Sequence, residues 1–312
     1  MFFKISPIML VVMINMVLFS ANAKAIDKDL YAAVGYKKVS WYLSDSTDAI
    51  EYDENFHKQL DFTLAVADNF FAGIMLDLDD EVEENRKIAV QLGFGKWGIF
   101  IDRGKITGNF STDSDLAFNP KQGDFAKEYQ YIALYKTGRS WGGASQSGIG
   151  YAEWKMPSKA VVNYGVFDEV EFVDPETKFQ TIGYFMRFDY LRGVVNSVKS
   201  SGFNMETSIL VGYTSVTPSD KEAGRVKAIT GQTPSTSSSG GIGGINTFRF
   251  GYYGGKRAGR ERLFGWGFSI GYEIQQYGFM LSFDDSVSDE HKIFADAFGF
   301  AHGPFVKFAA AW

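Results

Sequence analysis

The sequence predicts an all-β protein: a transmembrane, antiparallel, up-and-down β-barrel of twelve strands, with ten or fourteen strands as alternatives. Three observations lead to this fold class. The chain begins with a secretory segment, its body repeats stretches of alternating apolar and polar residues, and it ends on an aromatic residue that continues the alternation of the last stretch. Beyond the secretory segment no apolar run reaches the roughly 18 residues that suggest a membrane helix, so any spanning element must be a strand.

The first 23 residues have the pattern of a secretory signal peptide. Lys4 precedes an apolar run from Ile8 to Phe19, and the small residues of Ser20-Ala21-Asn22-Ala23 suit a cleavage site. The run is too short to cross a bilayer as a helix, which takes about 20 residues. We therefore predict residues 1–23 as the signal peptide and residues 24–312 as a single β-barrel domain.

Composition limits the classes of function. The chain has 31 Lys and Arg against 37 Asp and Glu, a net charge of −6, and no cysteine. An acidic chain is not expected to bind nucleic acid. Without cysteine there is neither a disulfide framework nor thiolate chemistry. We also expect no cofactor and no metal site, because the three histidines are scattered without ligand spacing.

Strands are predicted from alternation with a period of two residues. In the strongest run, Phe264 to Gln275, even positions are aromatic or aliphatic and odd positions are Gly, Ser, Glu or Gln. A soluble sandwich would bury the apolar face, whereas a membrane barrel turns it to lipid and keeps a polar interior. The small and polar opposite faces favour the barrel. The predicted strands are 28–43, 58–67, 70–79, 86–94, 97–109, 127–136, 146–156, 179–192, 204–216, 245–255, 262–283 and 303–312.

The connections between these strands alternate in length. An even strand number places both chain ends in the periplasm, with short turns there and longer loops outside. Asp68-Asn69 and Gly95-Lys96 are two-residue hairpin turns on the periplasmic side. The predicted outer connections are 44–57, 80–85, 110–126, 157–178, 217–244 and 284–302. Residues 160–173 could extend a strand pair, and Gln275-Gln276 could be a turn, which keeps ten and fourteen strands open.

The last eight residues, FVKFAAAW, place Val306, Phe308, Ala310 and Trp312 on one face and Lys307 on the other. This terminus resembles the last strand of Gram-negative outer-membrane β-barrel proteins. The resemblance implies that Phe308 and Trp312 belong to a C-terminal signal read by the barrel insertion machinery. It also implies an outer-membrane location, with outer-membrane lipid and lipopolysaccharide as partners.

A second resemblance concerns catalysis. The pair Asp77 and Asp79, together with Asp289 and His291, resembles the active site of the omptin outer-membrane proteases. In that class a carboxylate orients a His as a general base. The chain departs from the omptins in its strand number and in the nearness of His291 to the C-terminus, and isolated polar loop residues would give the same pattern.

Three charged residues are predicted to face the lumen: Arg187 and Asp189 on one strand and Glu273 on another. Such groups either select solutes by charge or form a structural network. The leading functional hypothesis is a narrow, porin-like passive channel for small solutes. The alternatives are a non-conducting surface barrel with an adhesive or structural role through its outer loops, and an omptin-like protease. We expect the protein not to be an enzyme.

Overall fold

The computed structural model describes residues 28–43, 49–51, 55–66, 70–79, 82, 85–111, 122–140, 143–163, 170–188, 202–231, 239–257, 265–282 and 292–311. Within these ranges the chain forms thirteen strands and one helix, α1 (Asp220–Thr230). The strands are β1 (Lys28–Leu43), β2 (Ala49–Glu51), β3 (Asn55–Val66), β4 (Phe70–Asp79), β5 (Arg86–Phe94), β6 (Trp97–Ser111), β7 (Gln122–Ser140), β8 (Gly143–Asn163), β9 (Val170–Phe188), β10 (Gly202–Thr217), β11 (Ser239–Arg257), β12 (Gly265–Ser282) and β13 (Lys292–Ala311).

Twelve of these strands close into an antiparallel up-and-down barrel. Each pairs with its neighbours in chain order, and β1 pairs with β13 from Tyr31 opposite Ala311 to Leu43 opposite Gly299. The thirteenth strand, β2, is a three-residue segment that pairs only with β6. Closure removes the open sheet edge that would otherwise expose unpaired backbone groups. We call the end that holds Lys28 and Ala311 the terminal end, and the opposite end the loop end.

The predicted fold class is confirmed, and the strands differ from their predicted ranges mainly at their ends. Strands β7 to β9, β11 and β13 extend beyond their predicted ranges at one or both ends, whereas β12 lies within its predicted range. In β8 and β9 the outward residues become charged at Lys155, Glu176 and Lys178, yet backbone pairing continues past them, so the alternation signal ends before the strand does. Gln275 and Gln276 lie inside β12 and do not form a turn.

A glycine-rich segment predicted as loop is part of β11. Its residue Gly243 pairs with Gly212, which pairs with Gly183, which pairs with Gly150, so four neighbouring strands carry glycine in register. A Cβ atom at Gly183 or Gly212 would collide with the backbone of the neighbouring strand. The close strand approach therefore explains why this stretch is glycine and still forms a strand.

The outer wall of the barrel is apolar. Along each strand, side chains alternate between buried and exposed, as in β5 and β7. Large apolar residues occupy the exposed positions: Ile149 is 69% exposed, Ile182 58% and Phe308 63%. A soluble protein rarely leaves such a continuous apolar surface in water. The apolar alternation of the sequence thus faces out and not into a shared core.

Helix α1 lies at the loop end, between β10 and β11. The Ser219 hydroxyl caps it by accepting a hydrogen bond from the Glu222 amide at 3.3 Å, and Gly231 ends it with a φ of 74°. Asp174 of β9 holds the start of the helix, since its carboxylate accepts from the Ser219 amide at 2.6 Å and the Ser219 hydroxyl at 2.9 Å. No helix among the described residues is long and apolar enough to cross a membrane.

A second pairing of β13 crosses the barrel at its loop end. Residues 292–296 of β13 pair with residues 159–163 of β8. These two strands lie five steps apart around the wall, in the order β13-β12-β11-β10-β9-β8. The loop-end extensions of β8 and β13 therefore join across the opening, and we call this pairing the cross-strap.

Candidate functional site

The candidate functional site is the interior of the barrel, where buried charges form a connected layer. The Lys37 amine lies 2.5 Å from an Asp77 oxygen and 2.9 Å from a Glu273 oxygen. Glu273 also accepts from Arg249 Nε at 2.9 Å, and Arg249 Nη1 donates to Glu206 at 3.2 Å. All five side chains are buried. Since a buried charge is costly unless it is paired, this chain of ion pairs is what allows the charges to be there.

Two further ion pairs adjoin the layer. The Lys307 amine donates to Asp61 at 2.7 Å, and the Lys87 amine lies 3.6 Å from Asp102. Asp102 additionally accepts a hydrogen bond from the Tyr129 hydroxyl at 3.0 Å. We call the inward-facing side chains of β1, β3–β5 and β10–β13, which hold all of these charges except Asp102, the ionic half of the lumen.

The inward-facing side chains of β6–β9 form a contrasting aromatic half. Phe100 meets Tyr131 edge-on at 5.3 Å between ring centroids and stacks on Phe185 at 6.2 Å. Trp154 and Phe179 stack almost parallel at 5.4 Å. These rings are nearly or completely buried. Because they are buried against one another, they fill this part of the interior rather than lining an open passage.

The two halves touch across the lumen. The Lys127 amine of β7 lies 3.5 Å from the ring centroid of Tyr277 on β12, and Tyr129 of β7 lies 5.6 Å from the same ring. Within the ionic half, Arg249 of β11 also reaches across the lumen to the Met75 sulfur of β4, at 3.5 Å. Both strand pairs are five steps apart around the twelve-stranded wall. Contacts between such distant strands can form only through the middle of the barrel, so side chains fill it at these levels.

A small cavity remains beside the ionic half. It has a volume of about 20 Å³, and its lining includes Lys37, His57, Asp77, Lys87 and Glu273. A space of this size holds about one water molecule. It is too small for an organic solute.

Asp77 and Asp79 lie together at the end of β4, and the structure adds His57 to them. His57 Nδ1 lies 2.8 Å from an Asp77 oxygen, and His57 Nε2 lies 3.7 Å from an Asp79 oxygen. Both ring nitrogens therefore face carboxylates, which orients the ring but presents neither nitrogen to a substrate. Asp289 and His291 lie outside the described residues, so the omptin-like arrangement stays a prediction.

Asp79 also has a structural task in the tight connection from β4 to β5. Its carboxylate accepts from the Val82 amide at 3.1 Å and from the Asn85 side-chain amide at 2.9 Å. The side-chain oxygen Oδ1 of Asn85 in turn accepts a hydrogen bond from the backbone amide of Thr107 at 2.8 Å. Asp79 thus stabilises the turn and ties it to β6.

The predicted lumen charges are placed as follows. Arg187 and Glu273 are buried on the inner face of the wall, and Arg187 lies 3.9 Å from the ring centroid of Phe100. Asp189 lies outside the described residues. Phe308, of the predicted insertion signal, points outward, whereas Trp312 lies outside the described residues.

Sequence reasoning missed most of the interior. The partners of Glu273, namely Lys37 and Arg249, come from β1 and β11, and no spacing in the sequence links them. The aromatic half was also missed, because tyrosines at odd positions of β7 looked no different from lipid-facing ones. The choice of Tyr over Phe at these positions was the available signal, because a buried Tyr hydroxyl needs a hydrogen-bond partner inside the barrel. Tyr135, for example, accepts a hydrogen bond from the Gln91 side-chain amide at 2.8 Å.

Comparisons with known proteins add little to this geometry. No known family matches the sequence, and no curated protein matches it. Among solved structures, the Pseudomonas aeruginosa protein OpdK, crystallised with vanillate, aligns over 92% of this chain and 99% of its own, at 7% identity and a TM-score of 0.21. A TM-score this low does not establish a shared fold. The closed twelve-stranded barrel with an apolar outer wall is nevertheless the architecture of the outer-membrane barrel class that the C-terminal strand resembles.

Proposed function

We propose that the chain is an outer-membrane β-barrel whose lumen is sealed, and that it acts at the cell surface through its loop end in an adhesive or structural role. The membrane location is supported by the outer wall, where large apolar side chains occupy the exposed positions of the strands. In water this surface would aggregate, whereas against hydrocarbon it is stable, and closure of the twelve strands removes the open edges that the wall would otherwise have.

The contacts across the lumen are the main support for a sealed lumen. Lys127 and Tyr129 meet Tyr277, and Arg249 meets Met75, each from the far side of the barrel. The cross-strap between β8 and β13 adds a backbone pairing over the loop end. A passive pore needs a continuous wet path, and these contacts interrupt it at several levels.

Conductance in planar bilayers tests this function. The refolded protein should show the gel shift on heating that marks a folded membrane barrel, and it should insert without producing conductance steps. Steady conductance of the unmodified protein would contradict the sealed state. Failure to insert, with no gel shift, would instead contradict the membrane location.

A narrow channel for small solutes is the second candidate. The ionic half supports it, because a wall of paired charges beside a water-sized cavity could rearrange into a hydrated path. In this case conductance would be absent at rest and would appear under an applied voltage.

A further inference from the structure

Several strands change character on their outer face towards the loop end. On β6, Ile99 and Ile101 are exposed to 43% and 45%, and the next outward-facing residues are Arg103 and Lys105. On β8, Ile149 is exposed to 69%, and Lys155 lies further along the same face. A charge on the lipid-facing side is costly in the hydrocarbon and cheap at its border. These residues therefore mark the loop-end border of the apolar wall.

Register brings the charges of neighbouring strands side by side. Arg86 of β5 pairs with Lys105 of β6, Lys105 with Glu128 of β7, Glu128 with Lys155 of β8, and Lys155 with Lys178 of β9. Directly paired residues have Cβ atoms about 5 Å apart. Four cations and one carboxylate thus form one outward row over five strands.

A concavity of about 430 Å³ lies against this row. Its lining includes Arg86, Arg103, Lys105 and Lys155, which we name the basic rim. That volume accommodates a disaccharide-sized headgroup. Four cations around one concavity are arranged to bind an anion.

The two carboxylates of the concavity do not cancel this charge. Glu153 is turned towards β9, where it lies 3.0 Å from the Lys178 amine and accepts from Gln180 at 3.0 Å. Glu128 is about half exposed and lies 3.7 Å from Lys105. An exposed pair at that distance is weak and gives way readily to a stronger anion.

We infer that the basic rim binds the phosphate groups of a lipid headgroup in the outer leaflet. This inference rests on the proposed membrane location. Arg and Lys form charge-assisted hydrogen bonds with phosphate, and two arginines allow bidentate contacts. The position selects a lipid over a soluble anion, because acyl chains of the same molecule would lie on Ile88, Ile99 and Ile101 just below the rim.

The test is lipid retention by the full chain, refolded in detergent micelles and measured by native mass spectrometry. The probe is a diphosphorylated glucosamine disaccharide lipid, compared with its enzymatically dephosphorylated form. The variant Arg86→Gln/Arg103→Gln/Lys105→Gln removes three rim cations that face outward. The matched control Lys38→Gln/Lys58→Gln/Lys136→Gln removes three cations of the outer wall that do not line the concavity.

The wild type and the control should retain the phosphorylated lipid equally, and the rim variant should bind it about tenfold more weakly or worse, as expected for lost charged hydrogen bonds. Equal retention by the rim variant, or equal loss in the control, would overturn the inference. So would inorganic pyrophosphate that displaces the lipid at equal concentration, since the site would then serve a soluble anion. The heat-dependent gel shift is measured on every sample. A protein that shows the gel shift but retains both lipids equally would contradict binding by the basic rim and leave the membrane location standing.

Discussion

The two halves of the lumen are filled by opposite chemistry behind one and the same outer wall. The ionic half uses Lys37, Asp77 and Glu273 in contacts of 2.5 and 2.9 Å, whereas the aromatic half uses rings such as Phe100 and Phe185. Outside, both halves present alternating apolar side chains. The outer face of each strand thus follows one rule, whereas the inner face forms either kind of packing.

The halves should respond differently to truncation, and the ionic half should respond most. Glu273→Ala removes the carboxylate shared by Lys37 and Arg249 and leaves two buried cations without it. We expect a loss of about 3–5 kcal/mol in the free energy of unfolding. Guanidinium unfolding in micelles, followed by the gel shift, measures it. Glu176→Gln, an exposed carboxylate on β9, serves as control and should change stability by less than about 0.5 kcal/mol. Equal stability of both variants would mean that the ionic half is not a paired network.

Replacing aromatic side chains of the aromatic half by alanine should mainly open space inside the lumen. Phe185→Ala removes a ring that packs on Phe100 and Tyr131, at a cost of about 3 kcal/mol. With a second truncation, Phe100→Ala, conductance steps should appear in planar bilayers that are silent for the wild type. Ile182→Ala, on the outer face of the same strand, is the control and should stay silent. A silent double variant that is folded would show that the seal lies elsewhere.

One ion pair of the ionic half, Asp61 with Lys307, can be tested by removing first one partner and then both. Asp61→Leu leaves the Lys307 amine buried without its partner at 2.7 Å, and we expect a loss of about 3 kcal/mol. Adding Lys307→Met removes the stranded charge and should recover most of that loss. A double-mutant cycle in unfolding measurements gives the coupling. Additive losses would contradict the pairing, because independent sites do not rescue each other.

His57 should be structural, with a smaller effect. His57→Gln can keep a hydrogen bond to Asp77 but loses the imidazole ring that lies between Asp77 and Asp79, for a cost of about 1 kcal/mol. A quenched basic-peptide assay on the same samples distinguishes this role from catalysis. Cleavage by the wild type that disappears in His57→Gln, with stability unchanged, would favour an enzyme.

The smallest effect is expected at helix α1, outside the barrel wall. Burial raises the pKa of the Glu222 carboxyl above its usual value, against the opposing attraction of Arg225. A raised pKa in the folded state means stability that is complete below the unfolded pKa and lost as the pH rises through the folded one. Hydrogen exchange of the α1 amides, corrected for intrinsic rates, should therefore show more protection at pH 4 than at pH 7. Glu222→Gln should remove this pH dependence; a variant that keeps it would point to another group.

The outer wall was predictable from the sequence and the interior was not. Alternation over residues such as Phe264 to Gln275 predicts which face of a strand points outward, because the outward positions are apolar on one strand after another. Partners such as Lys37 and Glu273 are 236 residues apart, and their meeting depends on barrel closure and register. Strand ends were also beyond the sequence signal: β8 continues to Asn163 although its apolar alternation ends earlier. Closure of β1 on β13 is part of the barrel that the sequence predicts, and the aromatic terminus is one of the three observations behind that prediction.

The double engagement of β13 has a consequence for assembly. This one segment borders β1 and β12 along the side of the barrel and meets β8 above it. Its arrival during biogenesis would shut the cylinder laterally and span its top in a single event. Loss of β13 would consequently leave β1 and β12 with open edges at the side of the barrel and remove the pairing that spans its top.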